Sequence, residues 1–115
     1  MKRRMERFEQ GDIVFVPFPH TNLRSKKFRP ALVISNASLR GDDVVLCGIS
    51  SQKPKAHYVE VDSESLEKGL LPVTSFVKVN KLVSLDRSIV KRKMAKISRK
   101  KLKEVISCVV KIFEV

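Results

Sequence analysis

The side chains that most often do chemistry are sparse in this chain. It has two histidines, His20 and His57, and two cysteines, Cys47 and Cys108. None of these forms a His pair, a carboxylate–His arrangement or a zinc spacing. The cysteines lie far apart inside apolar segments, which predicts buried thiols in a reducing compartment. What the chain has in excess is cation: 24 Lys and Arg against 12 Asp and Glu, a net charge of +12. Between Lys78 and Lys111, twelve basic residues face only Asp86 and Glu104. The stretch Glu60, Asp62, Glu64, Glu67 carries the opposite sign. The chemistry open to such a chain is recognition of a polyanion: RNA, DNA or an acidic protein. A polar segment over Pro19–Phe28, with His20, Arg24, Lys26 and Lys27, is long for a hairpin in so small a protein. Loops of this kind often carry function. His57 falls on an alternating segment and reads as structural.

The elements that must position these cations are mostly strands. The 115 residues amount to one domain, with a basic tail over 1–10 and a single domain over 11–115. No apolar run approaches the ~20 residues of a membrane span. The N-terminus has no apolar stretch behind its charges, so no secretory signal is expected and the cytoplasm is the expected location. Ile13-Val14-Phe15-Val16-Pro17-Phe18 predicts a strand, with Pro17 near its end or on an edge. Ala31–Ser35 and Asp43–Ser50 predict two more, separated by a turn or short helix over Asn36–Asp42. His57–Val61 alternates and predicts a half-exposed strand. Ser63–Lys68 suits one or two helical turns stopped by Gly69. Thr74–Val79 and Leu82–Leu85 read as β, as one bent strand. Leu102, Val105, Ile106, Val109 and Phe113 form one helical stripe with Ser98 as N-cap. Arg99, Lys100, Lys101 and Lys103 crowd the start of that helix, where the dipole disfavours positive charge. The fold class is therefore α+β, a strongly bent antiparallel sheet with a C-terminal amphipathic helix.

Gly11-Asp12-Ile13-Val14, Arg29-Pro30-Ala31-Leu32-Val33-Ile34-Ser35 and Ile49-Ser50-Ser51-Gln52, in that order, resemble the MazF/PemK family. These are toxin ribonucleases of type II toxin–antitoxin pairs. His57–Val61, Ser84-Leu85-Asp86-Arg87 and the helix extend the likeness to about Gly11–Phe113. The resemblance implies a compact SH3-like antiparallel β-barrel, usually a homodimer. It also implies cleavage of single-stranded RNA by the ribose 2′-OH, with neither metal nor cofactor. A cognate antitoxin would lay an acidic, apolar C-terminal segment across the basic groove, and operator DNA would be met only through that complex.

On this resemblance Arg29 clamps phosphate and is a candidate acid, because a guanidinium forks onto two phosphoryl oxygens. Ser50 stands where the family has Thr or Ser and would hydrogen-bond the scissile phosphate. Ser51 and Gln52 would touch RNA beside it, as would His20, Arg24, Lys26 and Lys27 from the loop. Lys78, Asn80 and Lys81 occupy places where members carry an Arg–Asp pair or an acidic residue followed by Gln. The two lysines can neutralise phosphates; Asn80 cannot serve as a carboxylate base. A non-catalytic binding module on the same barrel, such as a protein-poisoning toxin of gyrase type, is the competing expectation. A basic ribosome-associated protein would explain the charge but not the paired motifs.

Overall fold

A computed structural model describes residues 8–19 and 26–115. Among the described residues, seven strands form one antiparallel sheet: β1 (Asp12–Pro19), β2 (Lys26–Val33), β3 (Asp43–Ser50), β4 (Tyr58–Val61), β5 (Leu66–Gly69), β6 (Ser75–Asp86) and β7 (Arg92–Ile97). Their spatial order is β4-β6-β3-β2-β1-β7-β5, curled as a half-barrel, and one helix, α1 (Arg99–Ile112), follows. His20, Arg24 and the tail Met1–Arg7 lie outside the described residues.

The central strands read as unbroken apolar runs because both faces of the sheet are covered there. Ile13, Leu32, Cys47, Ile49, Val77 and Ile97 pack with Val105 and Val109 of α1 into one core. Val14, Val16, Ala31, Val33, Val44 and Leu46 make a second core on the opposite face, flanked by Phe8, Phe18, Val83 and Leu85. Successive residues of a strand point to opposite faces, so a single run such as Ile13-Val14 feeds both cores.

Gly11 and Asp12 lock the start of this arrangement. Gly11 adopts φ +98°, which an L side chain rarely tolerates, and its N–H and C=O bond Val33 and Ile97 on the two flanking strands. Asp12 is only 2% exposed; its carboxylate accepts from the Glu9 N–H at 2.8 Å and lies 3.5 Å from Lys93 Nζ. Gln10 Nε2 donates to the Ile34 carbonyl, so the end of the N-terminal segment is already docked.

Several expectations need correction. The polar connection expected over Pro19–Phe28 is narrower, because β1 runs to Pro19 and β2 begins at Lys26; Phe28, Arg29 and Pro30 are strand residues. Ser63–Lys68 is not helical beyond a single 3-10 turn, Ser63–Ser65. A capping box between Asp62 and Ser65 closes that turn, and Leu66–Gly69 then pairs with β7. β7 itself was hidden by its basic residues: only Ala95 and Ile97 show the buried alternation. The runs Thr74–Val79 and Leu82–Leu85 belong to one bent strand, as expected, with bounds Ser75–Asp86. Asn36–Asp42 contains turns rather than a helix. Ser98 caps α1, accepting from the Lys101 N–H. Phe113 falls on the C-cap and is 63% exposed, so the buried stripe ends at Val109. Lys101 offsets part of the cation crowding by pairing with Glu104 at 3.3 Å.

Both cysteines are free; Cys47 is buried and Cys108 half-buried. Burial pushes the Cys47 thiol up to about 12. A thiol reagent at mildly alkaline pH should therefore modify Cys108 first and reach Cys47 only on unfolding; simultaneous rapid modification of both would contradict this packing. Asp12→Ala leaves the Glu9 N–H without its acceptor, and we expect a loss of roughly 1–3 kcal/mol in denaturant unfolding.

Candidate active site

The β2–β3 ladder sets the geometry. Its pairs are Val33↔Leu46, Leu32↔Cys47 and Ala31↔Gly48, and it stops there. Continued in the same register, Pro30 would face Ile49 and Arg29 would face Ser50. Pro30 has no N–H to give to a ladder, and the strands part where it stands. On its other edge β2 stays paired with β1 through Pro19↔Lys26. Arg29 and Ser50 are thus left on the two lips of an opening.

That opening is a cleft of about 410 Å³ whose lining includes Arg29, Pro30, Ser50, Ser51 and Gln52. Strand alternation puts Arg29 in phase with Ala31 and Val33, and Ser50 in phase with Leu46, all on the side of the second core. Arg29 is half-buried, as is Ser50, whose Oγ accepts the Gln52 N–H at 3.0 Å. This bond fixes the oxygen at the strand end while its own O–H stays free to donate. Arg29 from one motif and Ser50, Ser51 and Gln52 from another therefore meet at one place.

Lys78 and Lys81 reach the same neighbourhood through an irregularity in β6. Cys47 pairs with Leu82, but Ile49 pairs with Val77. Two steps along β3 match five along β6, so Lys78–Lys81 stand opposite Gly48 alone. Such an excess of backbone bends a strand. β4 supports the bend, with Tyr58 opposite Lys78 and the Val79 N–H on the His57 carbonyl. The Lys78 ammonium is held below the ordinary lysine range, first by burial, then by the charges of Lys81 and Arg29. Asn80 and Lys81 sit exposed on the same segment, and none of Lys78, Asn80 and Lys81 lines the cleft itself. Lys27 is exposed on β2, two residues before Arg29. Lys26 opens β2, paired with Pro19.

Other residues of the site carried weaker sequence signals. Gly48 is bare because the Phe18 ring lies over it: a Cβ there would stand 3.2 Å from Phe18 Cζ. Leu71, Pro72 and Val73 wall the cleft on one side and Met94 from β7 on another. Leu70 and Val73 are 82% and 55% exposed, and two leucines before Pro72 were the available hint. Beyond the lip, Tyr58 and Phe76 meet edge to face at 5.5 Å, and Lys53 Nζ stands 5.7 Å over the Tyr58 ring. The arrangement can grip a phosphate with a guanidinium and a hydroxyl, and surround it with further cations.

Comparisons with known proteins agree with this architecture. The solved structures similar to the chain include an endoribonuclease from a mycobacterial species, at 12% identity and a TM-score of 0.74, covering 96% of this chain and 95% of that one. MazF from Deinococcus radiodurans matches at 24% identity and a TM-score of 0.72, covering 91% and 94%. A MazE–MazF complex from the same organism matches at 22% identity and a TM-score of 0.70, covering 91% and 94%. None of the curated proteins compared gives a match. The sequence from residue 9 to residue 113 fits the family described as PemK-like, MazF-like toxin of type II toxin–antitoxin system. The half-barrel, the motifs at the parted strands and this near-complete match agree: the chain belongs to the PemK-like, MazF-like toxin family.

Proposed function

We propose that this protein is a toxin endoribonuclease that cleaves single-stranded RNA at the cleft between Arg29 and Ser50, using the ribose 2′-OH and no metal. The observation that carries the reading is the parted end of β2 and β3, which sets a guanidinium and a hydroxyl on facing lips with Lys78 and Lys81 close by. In the reaction the 2′-oxygen attacks its own 3′-phosphate and loses a proton. The bond to the 5′-oxygen breaks, and that oxygen takes up a proton. The products are a 2′,3′-cyclic phosphate and a 5′-hydroxyl. Negative charge builds on the pentavalent phosphorane, and Arg29 meets it with two parallel N–H donors while Ser50 Oγ donates a third bond.

A guanidinium holds its proton too firmly to exchange it efficiently, so Arg29 serves as the phosphate clamp, and Lys78, whose ammonium is weakened by burial and by two neighbouring cations, adds positive charge near it. Among the described residues no group of three or more His, Cys, Asp and Glu gathers in a way that could hold a metal. The expected regulator is a cognate antitoxin whose acidic, apolar segment covers the same cleft. Exposed Leu70 and Val73 offer it apolar contacts beside the cations. A homodimer completes the reading, with RNA running along the groove between protomers. The competing reading, a binding module without cleavage, is favoured by Asn80, which supplies no carboxylate where an acid–base partner is expected.

Purified protein incubated with a long single-stranded RNA in EDTA should give discrete fragments ending in 2′,3′-cyclic phosphate. Arg29→Ala should slow cleavage by roughly 100- to 1,000-fold, with a much smaller effect on binding. Arg29→Lys should not restore the rate, since an ammonium cannot form the paired donors. Intact RNA under conditions where the wild type demonstrably binds would select the binding module instead.

The pH dependence follows from Lys78. A bound phosphate favours the charged lysine and so raises its pKa. Affinity for RNA should be complete below the depressed pKa of the free protein and weaken as pH rises through it, earlier than for an ordinary lysine. Lys78→Arg should flatten that profile, and Lys78→Gln should reduce the logarithmic salt slope of binding by about 0.7. An unchanged slope would remove Lys78 from the phosphate contacts.

A further inference from the structure

Where β2 pairs with β1 and β1 with β7, a second group of residues combines aromatic rings with cations that lie over them. Phe15 stands opposite Pro30 on one side and Arg92 on the other. Its ring stacks on that of Phe28, with centroids 5.6 Å apart and planes 26° from parallel. The Arg92 guanidinium lies 5.3 Å from the Phe15 centroid, and Lys91 Nζ 5.7 Å from that of Phe28. Even so, Phe28 remains 49% exposed.

The contrast along one short segment is informative. Lys93 and Lys96 turn to acids, Asp12 at 3.5 Å and Glu9 at 3.0 Å. Among the described residues Lys91 and Arg92 have no acidic partner within 4.0 Å and rest on ring faces instead. Two cations that pair with no described acid, beside a half-exposed stacked pair, are poorly matched to an apolar partner. They suit a ligand that brings a flat ring and a negative charge together, which is a nucleotide of a single strand. Exposed cation–π contacts are weak, so both cations can swing onto phosphates and uncover the rings. Phe28 directly precedes Arg29 on β2 and points to the other face of the strand. Pro30, which lines the cleft, stands opposite Phe15 and two residues from Phe28, so this group adjoins the Arg29–Ser50 cleft.

We infer that Phe15, Phe28, Lys91 and Arg92 form a second contact point for single-stranded RNA, where a base flanking the cleaved bond stacks on Phe28 and its phosphate is held by Lys91 and Arg92. The inference rests on the RNA reading of the cleft and extends it. Phe28 selects for an unpaired base, because a base still in a duplex offers no free face.

The test compares wild type, Phe28→Ala, Phe28→Trp and the double variant Lys91→Gln/Arg92→Gln. Each is titrated with a fluorescent single-stranded RNA and with an abasic oligomer of equal length and charge. Phe28→Ala should weaken binding of the RNA roughly ten-fold and leave the abasic oligomer unaffected. Phe28→Trp should retain affinity, and the double variant should weaken both ligands. In cleavage assays on a long RNA, Phe28→Ala should raise KM with kcat unchanged. Equal effects on both ligands, or none, would overturn the stacking site while leaving Arg29-dependent cleavage to stand. A shift in sedimentation with RNA affinity unchanged would overturn it too, assigning Phe28 to contact between copies of the chain. A wild type that neither binds nor cleaves RNA would reject the underlying reading and this inference with it.

Discussion

Pro30 is the constraint on which the site depends. It keeps its place in β2 because the pairing with β1 continues past it, but it offers no N–H for a ladder. The β2–β3 ladder ends one residue later in the chain's own order of pairing, at Ala31 and Gly48. Had it continued, Arg29 and Ser50 would be cross-strand neighbours in a closed sheet, with no room for a ligand between the strands. A polar residue pair becomes a cleft because one backbone donor is missing.

The remaining structure makes that opening tolerable. The other edge of β2 is fixed by β1, and the start of β1 is held between β2 and β7 by Gly11 and Asp12. Cores on both faces of the sheet keep β1–β3 from following the fray inward. On the far side of β3, the surplus residues of β6 bend that strand around Gly48 and carry Lys78 and Lys81 toward Arg29. Bringing three cations together costs stability, and burial of Lys78 adds to it. A bound polyanion relieves the same repulsion, so strain in the empty site becomes affinity in the filled one. Nearby, the Phe18 ring covers Gly48 and the Tyr58 and Phe76 rings meet edge to face.

Much of this was legible from residue order. The first and third strands, the second half of β2, the bent strand after Thr74 and the helix with its Ser98 cap follow from apolar periodicity and local capping chemistry. Arg29, Ser50, Ser51 and Gln52 stood out through the motifs that carry the family resemblance, and the fold brings all four to one cleft. What periodicity could not show was decided by pairing between distant segments. β7 looks like a basic linker until β1 and β5 flank it. Leu66–Gly69 has the composition of a helix end, yet its partner is β7. The convergence of Lys78 with Arg29 depends on a register shift, and a register is a property of two strands. Phe18 reads as an ordinary strand aromatic and Phe28 as the end of a polar loop; only a bare glycine beneath one and cations over the other's ring set them apart.

The most direct test of the central claim is a crystal structure of the protein with a short single-stranded RNA carrying a 2′-deoxy substitution at the cleaved position, which blocks attack without removing the phosphate. The account predicts the scissile phosphate between the lips of the parted strands, with two of its oxygens accepting from the Arg29 guanidinium and one accepting from Ser50 Oγ, each at about 2.7–3.0 Å. A phosphate bound elsewhere, with the Arg29–Ser50 cleft filled by another part of the ligand, would contradict it.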